Sequence, residues 1–152
     1  MKHSPGFLAI VNDSLSRVRE ISVEEVRDDM ESSVDFALVD VREDSEWAAS
    51  HATDAIHLGK GIIERDIETV IPEVDKKIVL YCGGGYRSAL AADALQQMGY
   101  QSVFSLAGGW RAWKDASMPI DEVSDSEAPC RNTPTNSAFC FAVLRTPFSK
   151  LS

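Results

Sequence analysis

The sequence predicts an α/β fold, an open and mainly parallel five-stranded sheet with helices on both faces. Three observations lead there. Short β-branched apolar runs alternate with stretches of helical periodicity, the pattern of parallel strands joined by crossover helices. The chain has 152 residues, 44% of them hydrophobic, enough for one core without disulfides. A cysteine followed by glycines lies between the strongest apolar run and a helix, where open parallel sheets place their ligands.

Residues 1–19 read as an N-terminal arm, with one short apolar patch interrupted by Asn12 and Asp13; this is neither a signal peptide nor a membrane span. Residues 20–120 read as the folded domain. In ISVEEVRDDM, Ser22 is an N-cap, and Glu24 and Glu25 fall in the first turn, where the helix dipole favours negative charge. DFALVDV is a short buried strand, followed by REDSEWAASH as a loop passing into a helical turn; AIHL holds a second short strand. IERDIETVI sets Ile63, Ile67 and Val70 at helical spacing, and Pro72 stops that helix before the strand KKIVLYC. SALAADALQQMGY is a helix with Gly99 as its C′ residue, SVFSL the last strand, and GGWRAWKDASMPI a short closing helix whose Trp110 and Trp113 are packing residues.

From residue 121 to 152 the chain reads as a tail. DEVSDSEAPCRNTPTNS cannot bury enough apolar area to order itself, and the apolar AFCFAVL beyond it is too short to cross a bilayer.

With 24 acidic against 15 basic residues and a net charge of −9, the surface repels phosphate backbones, and no Lys/Arg stripe offsets this; nucleic acid is excluded as a partner, and so is a membrane. The three cysteines, Cys82, Cys130 and Cys140, form neither a disulfide framework nor a Cys-x-x-Cys or Cys/His cluster, so no metal site is expected and a cytoplasmic setting fits best.

Chemistry concentrates in LYCGGGYRSALAADALQQMGY, residues 80–100. Gly83, Gly84 and Gly85 lack a Cβ, so the loop is free to take left-handed φ values and to turn N–H groups inward as an anion nest. That nest, a helix N-terminus expected near Ser88, and the charge of Arg87 all stabilise a thiolate on Cys82. Only four residues, Gly83 to Tyr86, separate Cys82 from Arg87, one fewer than in loops that wrap phosphate; a smaller ring suits a smaller target, such as the outer sulfur of a persulfide.

The sequence resembles a single-domain rhodanese, a sulfurtransferase of the rhodanese/Cdc25 superfamily. The resemblance rests on LVDVRE (38–43), Glu46 and Trp47, His51, AIHL (55–58), LYCGGGYRSALAADALQQMGY and LAGGWRAW (106–113), and covers about residues 20–120. It implies that Cys82 takes sulfane sulfur and becomes a persulfide, cradled by the backbone of Gly83 through Ser88. Arg87 then matches a loop arginine that binds an anionic donor such as thiosulfate, and Asp40 and Arg42 match a charged pair that supports the site. His51 corresponds to a histidine usually followed by an isoleucine and a glycine, where this chain has Ala52 and Asp54; a structural histidine is expected, and Asp54 tolerates the left-handed turn. His57 and the loop residue Tyr86 are further candidates for facing the pocket, and Lys60 and Arg65 for steering an anion.

The implied mechanism is covalent catalysis in two half-reactions, with ping-pong kinetics and no cofactor. A small anionic sulfur donor and a thiol or protein acceptor are the expected partners. Two other readings stand beside it: a non-enzymatic sulfur carrier or docking module, and a phosphatase or arsenate reductase, against which the short loop argues.

Overall fold

The computed structural model describes residues 2–122. Met1, the tail from residue 123, Cys130, Cys140 and the apolar 138–144 stretch lie outside the described residues.

The sheet is α/β and wholly parallel, with the helices distributed over both faces. Its strands are β1 (Arg19–Ile21), β2 (Phe36–Asp40), β4 (Ile56–His57), β5 (Lys77–Tyr81) and β6 (Val103–Leu106), in the order β1-β6-β5-β2-β4. The longest ladder pairs β2 with β5 from Phe36↔Lys77 to Asp40↔Tyr81. Residue parity divides the core. Val39, Ile78, Leu80 and Cys82 face the helices α4 (Ile63–Val70) and α5 (Tyr86–Gln97), meeting Ile63, Ile67, Ala91, Ala92 and Leu95. Leu38, Val79 and Tyr81 face the other way, onto Val23 and Val26 of α2 (Val23–Glu31) and Trp110 and Trp113 of α6 (Gly109–Asp115). Alternation along buried strands therefore feeds two cores, one on each side of the sheet.

Local signals account for the helices. Ser22 caps α2, its hydroxyl accepting from Glu25 N–H at 3.2 Å while the Glu25 carboxylate accepts from Ser22 N–H at 2.8 Å. Gly99 follows α5 in the left-handed region at φ 102°. The turn through Asp54 is also left-handed, φ 64°, as its residue type allows.

Three elements go beyond the sequence reading. The arm carries α1 (Pro5–Leu15), started by Ser4, whose hydroxyl accepts from Phe7 N–H at 3.4 Å, and by Pro5. Its Val11 is fully buried, and Ser14 donates to Asp93 of α5 at 3.2 Å. Arg17, just beyond α1, clamps the same carboxylate from Nε (3.1 Å) and Nη2 (2.7 Å). The second and third pair with each other: β3 (Ser50–Ala52) follows α3 (Asp44–Ala49) and runs antiparallel to β7 (Ile120–Glu122), which crosses the boundary that composition draws at residue 120.

Candidate active site

Cys82 leaves the carboxyl end of β5 and is only 1% exposed, yet it lines a cleft of about 830 Å³. The chain then turns back so that Gly85 N–H donates to Cys82 Sγ at 3.1 Å. Of the three glycines only Gly85 takes a positive φ, 101°, and it is the N-cap of α5, so the helix begins at Tyr86 rather than near Ser88. Gly83 and Gly84 are not left-handed. A Cβ on Gly83 would crowd Arg87 Nη2 at 3.2 Å, whereas one on Gly84 would meet Arg111 Nη2 at an ordinary contact distance of 3.7 Å.

Ser88, fully buried on the first turn of α5, holds its hydroxyl 3.5 Å from Cys82 Sγ and 2.8 Å from the hydroxyl of Ser105 on β6. From the other side, the start of α6 is bonded to the loop backbone: Trp110 N–H donates to Cys82 O at 2.6 Å and Arg111 N–H to Gly83 O at 3.3 Å. This close approach is possible because Gly109 has no side chain. A Cβ there would lie 2.3 Å from Cys82 O and 3.0 Å from Gly84 N.

Arg87 lines the cleft, with its guanidinium fork engaged by Glu46 of α3 at 2.8 and 3.1 Å. The Arg87 bonds hold the Glu46 carboxyl below its ordinary value, against a smaller opposing effect of burial. The same pair raises Arg87.

Asp40 and Arg42 lie beneath, 0% and 3% exposed, joined at 2.7 to 3.0 Å, and Arg42 also donates to Ser50 O at 2.7 Å. Burial opposes the charge on Arg42, but the Asp40 carboxylate holds the guanidinium above its ordinary value. The Arg42 guanidinium lies over the Trp110 ring, 4.6 Å from its centroid, so the pair supports a wall of the cleft from below.

His51 and His57 do not line the cleft. Both stack on Trp47, at centroid distances of 3.5 and 4.9 Å. His51 Nδ1 donates to Trp47 O at 3.0 Å and His57 Nε2 to Arg42 O at 3.1 Å, since a carbonyl can only accept. Lys60 lines a different cleft, and Arg65 is paired with Asp66 at 2.6 Å on α4.

Tyr86 is exposed at the mouth. His3 meets it edge-on at 4.8 Å and Phe7 at 6.2 Å, so the N-terminal segment forms one wall of the cleft. Sequence reasoning missed this wall, and with it Arg111, Ser105 and the partnership of Glu46 with Arg87. A lone serine inside an apolar strand was a usable signal for Ser105; nothing local announces the rest. Among the described residues no group of three or more His, Cys, Asp or Glu side chains could hold a metal ion. No helix among them is long and apolar enough to cross a membrane.

A buried cysteine with an N–H donor on its sulfur, at the floor of an open cleft, is built to hold negative charge on sulfur. The Rhodanese-like domain family model matches residues 22–116 of this chain. The chain belongs to the rhodanese-like family. A sulfurtransferase of Allochromatium vinosum is 36% identical over 103 residues, 68% of this chain and 94% of that one. The thiosulfate sulfurtransferase GlpE of Haemophilus influenzae is 36% identical over 84 residues, 55% and 78% of the two chains. A solved structure from Rhodopseudomonas palustris, described as a protein of unknown function and possible tyrosine phosphatase, superposes with a TM-score of 0.70 at 30% identity, covering 80% of this chain and 98% of that one. The rhodanese-like region begins after α1, so the His3 and Phe7 wall lies outside the part of the chain that the family defines.

Proposed function

We propose that this chain is a sulfurtransferase that moves sulfane sulfur from a small anionic donor to a nucleophilic acceptor through a persulfide on Cys82. The observation that carries the reading is the Gly85 N–H aimed at Cys82 Sγ at 3.1 Å, inside a loop with only four residues between Cys82 and Arg87. Sulfurtransferase relatives at 36% identity support it.

With thiosulfate as donor, a lone pair of the Cys82 thiolate forms the new S–S bond, the donor S–S bond breaks, and its electron pair leaves on sulfite. The enzyme then holds Cys82–S–S⁻, its charge stabilised by the loop that spans Gly83 to Ser88. In the second half-reaction cyanide or a thiol attacks the outer sulfur and the thiolate is restored. Tyr86 borders the path of the acceptor, Arg87 locks the loop to α3, and Asp40 with Arg42 supports the wall. The chemistry calls for no cofactor, and a reducing cytoplasm would keep the thiol available.

The test is intact mass after incubation with thiosulfate. Native protein gains one sulfur and loses it to cyanide as thiocyanate, while Cys82→Ser gains none. Absence of loading from thiosulfate, mercaptopyruvate and a hydropersulfide alike would overturn the proposal. A stable persulfide with slow turnover of every small acceptor would instead indicate a carrier that serves a protein partner. The description of the Rhodopseudomonas palustris structure favours a second reading, phosphate-ester hydrolysis. Turnover of para-nitrophenyl phosphate that is lost in Cys82→Ser would establish it.

A further inference from the structure

We infer that Arg111, rather than Arg87, binds the oxyanion of the sulfur donor. This rests on the sulfurtransferase reading above and assigns the anion contact within it.

Two guanidinium groups, Arg87 and Arg111, line the cleft that holds Cys82. Arg87 is already engaged. Its fork meets both oxygens of Glu46, and Glu43 Oε1 adds a second carboxylate 3.8 Å from Nη1. A donor anion arriving there has to displace a bidentate carboxylate and approach a second one. The Coulomb attraction of Arg87 is thus cancelled at short range.

Arg111 makes no salt bridge among the described residues. It is exposed on α6, and its backbone position is fixed against the loop by the bonds from Trp110 N–H to Cys82 O and from Arg111 N–H to Gly83 O. From there the guanidinium reaches over Gly84, where a methyl group would touch Nη2 at 3.7 Å and Cζ at 3.9 Å. In a chain of net charge −9, a cation that has no carboxylate partner among the described residues and lines the same cleft as Cys82 sets where an anion is attracted. A planar fork also matches two oxygens of one oxyanion.

The donor class that follows is a sulfane sulfur attached to a sulfonyl or carboxylate-bearing group, thiosulfate being the simplest. With thiosulfate, as Cys82 takes the outer sulfur the bond to the oxidised sulfur breaks and the electron pair leaves on sulfite, whose oxygens Arg111 holds; a carboxylate-bearing persulfide instead releases its thiolate. A donor without an oxyanion, such as 2-hydroxyethyl hydropersulfide, transfers its outer sulfur and releases a simple thiolate. That transfer does not need Arg111.

The experiment compares native protein, Arg111→Ala and Arg111→Lys with both donors. Removing a hydrogen-bonded charge should raise the KM for thiosulfate about tenfold or more with a much smaller change in kcat, and lysine should restore part of it. Added salt should depress kcat/KM for thiosulfate in native protein and have little effect in Arg111→Ala. Persulfide formation from 2-hydroxyethyl hydropersulfide, read by intact mass, should be equal in all three, which also shows that the variants are folded. If native protein turns over thiosulfate and Arg111→Ala keeps its KM within twofold, the Arg111 assignment is wrong. Equal losses with both donors would overturn it too, since that marks a general defect in the loop. If native protein loads sulfur from neither donor, nor from mercaptopyruvate, the sulfurtransferase reading fails and this assignment falls with it.

Discussion

Glu46 and Arg87 form a two-pronged ion pair at the cleft, Oε2 to Nη1 at 2.8 Å and Oε1 to Nη2 at 3.1 Å. The same Glu46 Oε2 accepts Glu43 N–H at 3.0 Å, so one carboxylate ties the first turn of α3 to the first turn of α5. Glu46→Gln keeps the shape and removes the charge. Both partners are partly exposed, 36% and 28%, so the pair contributes at most about 1 kcal/mol to stability. Because the folded carboxyl lies below its ordinary value, that contribution is complete above about pH 4.3 and is lost as pH falls through the lower folded value. Chemical denaturation of native protein and Glu46→Gln should differ at neutral pH and converge in acid. A difference that persists unchanged to about pH 3 would exclude the ionised pair as its source.

Gly109 and Gly84 make opposite predictions although both touch the loop. In Gly109→Ala the new carbon collides with Cys82 O, and φ of 52° is strained for any side chain, so backbone has to move. Sulfur loading should fall by at least about tenfold, the scale for a misplaced catalytic group, and stability should drop as well. Gly84→Ala meets only the guanidinium of Arg111 at ordinary contact distance and should fold with native stability. Its effect should appear in the KM for thiosulfate. Thermal unfolding alongside donor kinetics separates the two; a native-like Gly109→Ala would refute the close-approach account.

Asp40 and Arg42 are a buried pair in which removing one partner strands the other. Asp40→Ala leaves a 3% exposed guanidinium facing the Tyr81 and Trp110 rings and should cost about 3–5 kcal/mol. The double change Asp40→Leu with Arg42→Leu should cost much less than the single one. Urea unfolding of the three proteins measures this. If the double variant is the least stable, the two residues contribute independently and not as a pair.

The parts of this fold that can be read in sequence are those where a local rule and the tertiary environment agree. β2 and β5 are short apolar runs of strand length, α2 has its capping box, and Gly99 ends α5 as a C′ glycine should. α1 escaped because its buried face is little more than Val11 and Ser14, too small a stripe to show as periodicity. β3 and β7 escaped because a three-residue ladder between segments about 70 positions apart leaves no local trace. In the site, Cys82 and its loop were legible because a short glycine turn joining a strand to a helix has few other uses. Arg87 was legible as a cation but not as a paired one, since its partner lies 41 positions away.

The arm gives the last prediction. Its attachment is Asp93, which accepts from Ser14 and twice from Arg17, and its outer end sets His3 and Phe7 against Tyr86 at the cleft mouth. Asp93→Ala leaves the buried Ser14 hydroxyl unpaired and should cost about 1–3 kcal/mol. It should also speed proteolysis within residues 5–15, because fewer bonds then hold α1 to α5. Loosening α1 moves the aromatic wall away from the path to Cys82. Access for a bulky thiol should improve while access for cyanide, which is small enough to pass the wall already, should not. The ratio of kcat/KM for glutathione to that for cyanide should therefore rise in Asp93→Ala and in Phe7→Ala alike. If the arm becomes protease-sensitive while that ratio stays fixed, His3 and Phe7 only brace Tyr86, and acceptor choice is made deeper in the cleft.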